Sequence, residues 1–207
     1  MTRYSIALAF ALAIFAAPSV AQDGQLYKDP ADPNASFVRI VSPGDTLAIV
    51  GKSTFENFRG GVTPYVMMHA GKVSVAVGAL VNDGQIPPST FFSFVAATDG
   101  TLHLLQDMIT NSPAKADLVF YNLSDLPLVD LFVPTADTVA LAAIAQNTSR
   151  QVALKAPLTL DFEVRDGATV LASLPAVEMR RRAGVTVVFS GSAGNYAAYS
   201  TENLFSN

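Results

Sequence analysis

Alternation of apolar and polar side chains with a period of two constrains this chain more than any other feature. In "LTLDFEV", Leu158, Leu160, Phe162 and Val164 fall on one side and Thr159, Asp161 and Glu163 on the other. A strand lying over a core satisfies that pattern and a helix does not. "VSVAVGALV" predicts one face of Val73, Val75, Val77 and Val81, and "VTVVFSG" collects Val185, Val187 and Phe189. Asp-Gly pairs at 83–84, 99–100 and 166–167 predict tight hairpin turns, because glycine takes positive φ at little cost. Short strands joined by such turns predict an all-β chain of antiparallel β-sandwiches, immunoglobulin-like or jelly-roll-like. Only "TADTVALAAIAQ" (135–146) reads equally well as strand or helix.

The chain also resembles itself. "SFVRIVSPGDTLAIVG" (36–51) has the texture of "DLVFYNLSDLPLVDLF" (117–132), and "YVMMHAGKVSVAV" (65–77) that of "QVALKAPLTLDFEV" (151–164). The polar, proline-containing "TNSPAKAD" (110–117) lies between the halves and reads as a linker. Two tandem sandwich domains are therefore expected, 22–112 and 113–207, each of a size that can bury its own core.

Residues 1–21 are expected to be a leader. Arg3 precedes a 12-residue apolar run from Ile6 to Ala17, then Pro18 and small residues ending at Ala21. That is a secretory signal peptide, cleaved between Ala21 and Gln22, and the run is too short for the roughly 20 residues of a membrane-spanning helix. Losing Arg3 with it leaves 12 basic against 17 acidic residues, a net charge of −5, which argues against a nucleic-acid partner. The chain has no cysteine. With no disulfides or thiolate metal sites available to an exported protein, burial alone must stabilise it.

Candidate chemistry is sparse. "LVFYNLSDLPLVDLF" (118–132) sets Asn122, Ser124, Asp125 and Asp130 in an apolar run. Short polar side chains that bond their own backbone predict a turn after a strand rather than a nucleophile with its carboxylate, and Ser42-Pro-Gly-Asp45 occupies the same place in the first half. "PGDT" (43–46) is like the Gly-Asp-Ser block of acyl-transferring hydrolases with Thr46 in place of serine, yet neither histidine, His69 or His103, has the Asp-x-x-His spacing those enzymes need. "SGSAG" (190–194) has Phe189 where a nucleophile elbow needs glycine, which leaves Ser192 at a strand end. Asp161 and Glu163 could hold calcium only with help from loops, and they read as solvated charge. No catalytic residue, metal site or cofactor is therefore assigned.

Two clusters are candidates for partner binding. Arg180, Arg181 and Arg182 precede the turn residues Ala183-Gly184 and could dock an acidic protein or an anionic polysaccharide. Phe55, Phe58 and Arg59 lie beside the pair Gly60-Gly61 and form either a loop anchor or a binding face.

"LYKDPADPNASFVRIVSPGD" (26–45) and "LVFYNLSDLPLVDL" (118–131) resemble the alginate O-acetylation protein AlgF family, a likeness that runs as a strand pattern over most of residues 26–192. The resemblance implies a periplasmic accessory protein that carries no active site. It would work in O-acetylation of an exported polysaccharide, alginate or a similar polymer, beside a membrane acyltransferase and separate Ser-His-Asp acetyltransferase proteins. The alternatives are a carbohydrate-binding module and, weakest, an acetyltransferase using Thr46 or Ser192. The absence of tryptophan weighs against the first of these, because sugar-binding faces favour exposed aromatics.

Overall fold

A computed structural model describes residues 35–44, 47–110 and 112–206. The expected leader, Asp45, Thr46 and the side chain of Arg59 lie outside the described residues. The first half contains β1 (Ala35–Val41), β2 (Leu47–Val50), β3 (Ser53–Glu56), β4 (Tyr65–His69), β5 (Gly71–Val77), β6 (Leu80–Ile86), β7 (Phe91–Ala96) and β8 (Leu102–Asp107). The second contains β9 (Lys115–Ser124), β10 (Leu128–Val133), β11 (Thr138–Ala145), β12 (Thr148–Lys155), β13 (Leu158–Asp166), β14 (Thr169–Met179), β15 (Gly184–Ser192) and β16 (Asn195–Glu202). A last short strand, β17 (Phe205–Ser206), returns to the first half and pairs with β4.

The duplication is explicit in the topology. Sheets ordered β3-β2-β5-β6 and β4-β1-β7-β8 form the first sandwich, and β11-β10-β13-β14 and β12-β9-β15-β16 form the second, so adding eight to each strand number converts one into the other. The fold is all-β and mostly antiparallel. Each sandwich has one parallel pair within it, β1 with β7 and β9 with β15. These are the first and seventh strands of each half, which point the same way because successive strands reverse direction.

Between the sheets of the first sandwich lie Val38, Ile40, Ala48, Val50, Val73, Val75, Val77 and Phe94. Leu118, Phe120, Leu131, Phe162, Val164, Val187 and Phe189 fill the second. Strands β1, β7, β9 and β15 have a second buried face. There Val41 and Val95 meet Val119, Tyr121, Leu123 and Val188, and the two sandwiches stack back to back through these strands. Their sequences, "SFVRIV", "FFSFV", "LVFYNL" and "VTVVF", are continuous apolar runs rather than alternating ones, as strands buried on both faces require.

Two local expectations are corrected and one open segment is settled. Asp83-Gly84 is not a turn but lies inside β6, with Asp83 opposite Ser74. The reversal falls at Gly78-Ala79, with Gly78 at φ 53°, and it turns Val81 outward, 75% exposed, away from Val73, Val75 and Val77. Gly84 is instead required by packing, since a Cβ there would sit 2.6 Å from Cζ of Phe94. The other two Asp-Gly pairs do form turns, with Gly100 and Gly167 at positive φ. The ambiguous 135–146 segment is a 3-10 turn, Pro134–Ala136, followed by β11. Its helix-like spacing of Leu141 and Ile144, both buried, comes from a bulge at Ala143 (φ 51°), which adds one residue to the strand. Finally, the expected linker 110–117 already contains the start of β9, and the Asp117 carboxylate accepts hydrogen bonds from the Thr110 N–H (3.0 Å) and Oγ1 (2.7 Å).

Candidate functional site

The polar residues of 118–132 serve architecture. Asn122 donates its amide to the carbonyls of Leu126 and Ile144, both at 3.1 Å. Ser124 is fully buried; its Oγ donates to Asn122 Oδ1 at 2.7 Å and accepts from the Leu126 N–H at 3.2 Å. Asp130 accepts the N–H of Ala143 at 2.7 Å, stabilising the β11 bulge, and Asp161 accepts that of Ala176 at 2.7 Å in the corresponding bulge of β14. Glu163, the other member of the calcium candidate, pairs with Arg165 at 2.6 Å. Asp125 accepts the Ala193 N–H (2.9 Å) and the Tyr196 hydroxyl (2.8 Å), tying the β9–β10 turn to the β15–β16 hairpin. These two donors, the backbone N–H first, hold the Asp125 carboxyl below its ordinary range. His103 approaches Asp99 at 3.1 Å in the β7–β8 turn. Asp99 is itself held low mainly by hydrogen bonds from Thr101.

Sequence reasoning missed a charged cluster between the sandwiches. Arg39, fully buried in β1, donates to Ser93 Oγ (2.8 Å), Asn203 Oδ1 (3.0 Å) and Tyr121 Oη (3.1 Å) and stands 3.5 Å from Asp107. Asp107 also accepts the hydroxyls of Tyr65 and Ser93, each at 2.6 Å, and of Tyr121. The Arg39 guanidinium lies 4.3 Å from the centre of the Tyr65 ring. Burial pushes both tyrosine hydroxyls up, opposed by the Arg39 charge. Thr186 of β15 completes the ring through Asn203 (2.6 Å). With every member buried, no substrate reaches these atoms, and the cluster joins the halves. The one available signal was Arg39 itself, a cation inside a run too apolar to expose it.

At the surface, the three arginines do not form one patch. Arg180 pairs with Glu202 of β16 (3.2 Å) and Glu178 (3.7 Å), Arg181 donates to the carbonyl of Ala156 (2.9 Å), and Arg182 turns the chain at φ 57°. Arg180 lines a cleft of about 170 Å³ with Glu178, Ser200, Thr201 and Glu202. A second cleft, of about 290 Å³, lies between Phe55, Phe58 and Pro64 of the first half and Thr201, Glu202 and Leu204 of the second. Thr201 and Glu202 border both, so Arg180 and the pair Phe55 and Phe58, far apart in sequence, flank one seam. Glu56, Glu202 and Leu204 had no distinguishing signal, because their role depends on the tail crossing between sandwiches.

Fold and site together define an all-β protein of two sandwiches, with an ionic cluster inside the seam and open clefts at its edge. Among solved structures, the C-terminal domain of AlgF from P. aeruginosa is similar to part of this chain, at 20% identity and a TM-score of 0.39, over 43% of this chain and 98% of that domain. No protein-family model matches the chain, and no curated protein matches it.

Proposed function

We propose that this chain is a non-catalytic accessory protein of the periplasm, needed for O-acetylation of an exported polysaccharide, alginate or a similar polymer. It would bring together the pathway's acetyltransferase proteins and membrane acyltransferase. The pathway is inferred from the AlgF-like stretches 26–45 and 118–131, whose described parts fold into the equivalent strands β1 and β9 and the turns after them. The observation that carries the non-catalytic part is the use of polar atoms in the second stretch. Ser124, its only hydroxyl nucleophile beside Tyr121, is buried with both its donor and acceptor functions engaged, and a serine becomes a nucleophile only with a base in reach of its proton.

The test is polymer acetylation in cells. Removing the gene should abolish O-acetyl groups, and restoring the chain with His69→Ala and His103→Ala should recover them fully. The purified protein should show no acetyl-esterase activity. Loss of acetylation in a folded, normally abundant double variant would defeat the non-catalytic reading.

A further inference from the structure

We propose that Lys115, Lys155, Arg181 and Arg182 form one docking face for an acidic segment of a partner protein. The proposal rests on the accessory reading and gives it a point of contact. Strand pairing assembles the face from residues far apart in sequence. Lys115 and Lys155 are directly opposed on β9 and β12, and opposed residues have Cβ atoms roughly 5 Å apart on one side of a sheet. The Arg182 N–H donates to the Lys115 carbonyl at 3.2 Å, and Arg181 Nε donates at 2.9 Å to the carbonyl of Ala156, which follows Lys155. All four residues are exposed, and none makes an ion pair among the described residues. The carboxylates of the adjoining strands do not balance them. Asp117 is buried and accepts from Thr110, while Glu178 and Glu202 face Arg180. Arg180 therefore stands apart from the two arginines that follow it.

The first sandwich shows that the fold does not need these charges. At its matching corner Ala35 opposes His69, and the Ser89 N–H donates to the Ala35 carbonyl at 3.0 Å. Ser89 and Arg182 even share a backbone conformation, with φ 56° and 57°. The same corner is thus built with Ala35, His69 and Ser89 where the second half has Lys115, Lys155 and Arg182. Like charges directly opposed cost stability, and carboxylates laid over them remove that cost while steering the encounter. Arg181 is preset for such a group. Its Nε is held by Ala156, and its two terminal nitrogens make no hydrogen bond among the described residues, which leaves a fork for one carboxylate. The segments that form the face, 112–116, 153–158 and 180–184, contain no aromatic residue. A sugar ring would find no platform there, so the carboxylates of a protein fit this face better than those of a uronate polymer.

The experiment is an NMR titration of the labelled chain with the blocked peptide Gly-Ser-Asp-Glu-Asp-Glu-Ser-Gly and its amide twin, with Asn and Gln for Asp and Glu. The acidic peptide should shift the amides of Lys115, Ala156 and Arg182, less so as salt is raised. Lys115→Gln with Lys155→Gln, both at exposed positions, should weaken that binding about tenfold at low salt, with the amide spectrum away from the face unchanged. Arg180→Gln, which removes a cation already paired, should weaken it far less. Equal binding by the amide twin, no shift at millimolar peptide, or a loss on Arg180→Gln as large as on the lysine pair would overturn the proposal. So would shifts at these amides from a uronate oligomer with none from the acidic peptide. Co-purification with the pathway's acetylation proteins separates the two readings. If wild type and the Lys115→Gln/Lys155→Gln variant retain them equally, the docking face falls and the accessory reading stands. If neither retains them although the acidic peptide binds, the accessory reading falls alone.

Discussion

Asp125 shows how a residue that looks like chemistry in the sequence can be an architectural clasp. Its carboxylate is held low first by the Ala193 N–H and then by the Tyr196 hydroxyl, which it raises in return. A depressed carboxyl adds stability that is complete above its unfolded value of about 3.9 and is lost as pH falls through the lower folded value. A raised phenol adds stability that is present below about 10 and lost as pH climbs through its folded value. Asp125→Asn should therefore lower the melting temperature between these limits, with the gap to wild type closing in acid and again in base. A gap that stays constant from neutral pH down to about pH 2, below the reference range of carboxylates, would show that the clasp contributes nothing by ionisation. Sequence reasoning found the turn because Asn122, Ser124 and Asp125 are turn-forming types. It could not see that Asp125 reaches Ala193, sixty-eight positions further on, since nothing local encodes that contact.

Among the elements, strands with one wet face were legible and departures from regular alternation were not. β13 follows its pattern residue by residue, with Phe162 and Val164 buried and Thr159 and Asp161 exposed. β5 and β6 were misread as one strand because Gly84 looks like a turn glycine when its neighbour Phe94 cannot be known. Bulges at Ala143 and Ala176 shift the period by one and imitate helical spacing. The packing role of Gly84 predicts that Gly84→Ala costs about 1–3 kcal/mol, the usual result of overfilling a core, although alanine suits the strand's backbone. In the double variant with Phe94→Leu the smaller side chain should yield space, so the combined loss in urea denaturation should be well under the sum of the two. Additivity within about 0.5 kcal/mol, as for independent sites, would mean that the ring does not press on this position.

In the whole molecule, the two sandwiches are joined by more than a linker. Valines from both halves meet in the seam, the Asn147 amide carbonyl accepts the Thr98 N–H at 3.0 Å across its edge, and Phe205 from the tail stacks on Tyr65 with ring centres 5.5 Å apart. The Arg39–Asp107 cluster lies among these contacts and is bonded across the seam to Tyr121 and Asn203, and Asn203 in turn accepts the hydroxyl of Thr186. Such an interface predicts one cooperative unfolding transition for the chain, rather than one for each sandwich. It also predicts how the cluster responds to substitution. Arg39→Met leaves Asp107 buried without its cation and should cost about 3–5 kcal/mol, the loss typical of breaking one partner of a buried pair. Removing both charges with Arg39→Met and Asp107→Leu also removes the orphaned carboxylate, and replacing a buried pair by apolar groups is often close to neutral. The double variant should therefore be more stable than Arg39→Met alone, despite the hydroxyls of Tyr65 and Tyr121 losing an acceptor. Calorimetry of wild type, both single variants, Arg39→Met and Asp107→Leu, and the double variant reads both predictions. Two separate transitions in wild type would mean that the halves fold independently, and costs that simply add would mean that Arg39 and Asp107 do not act as a pair.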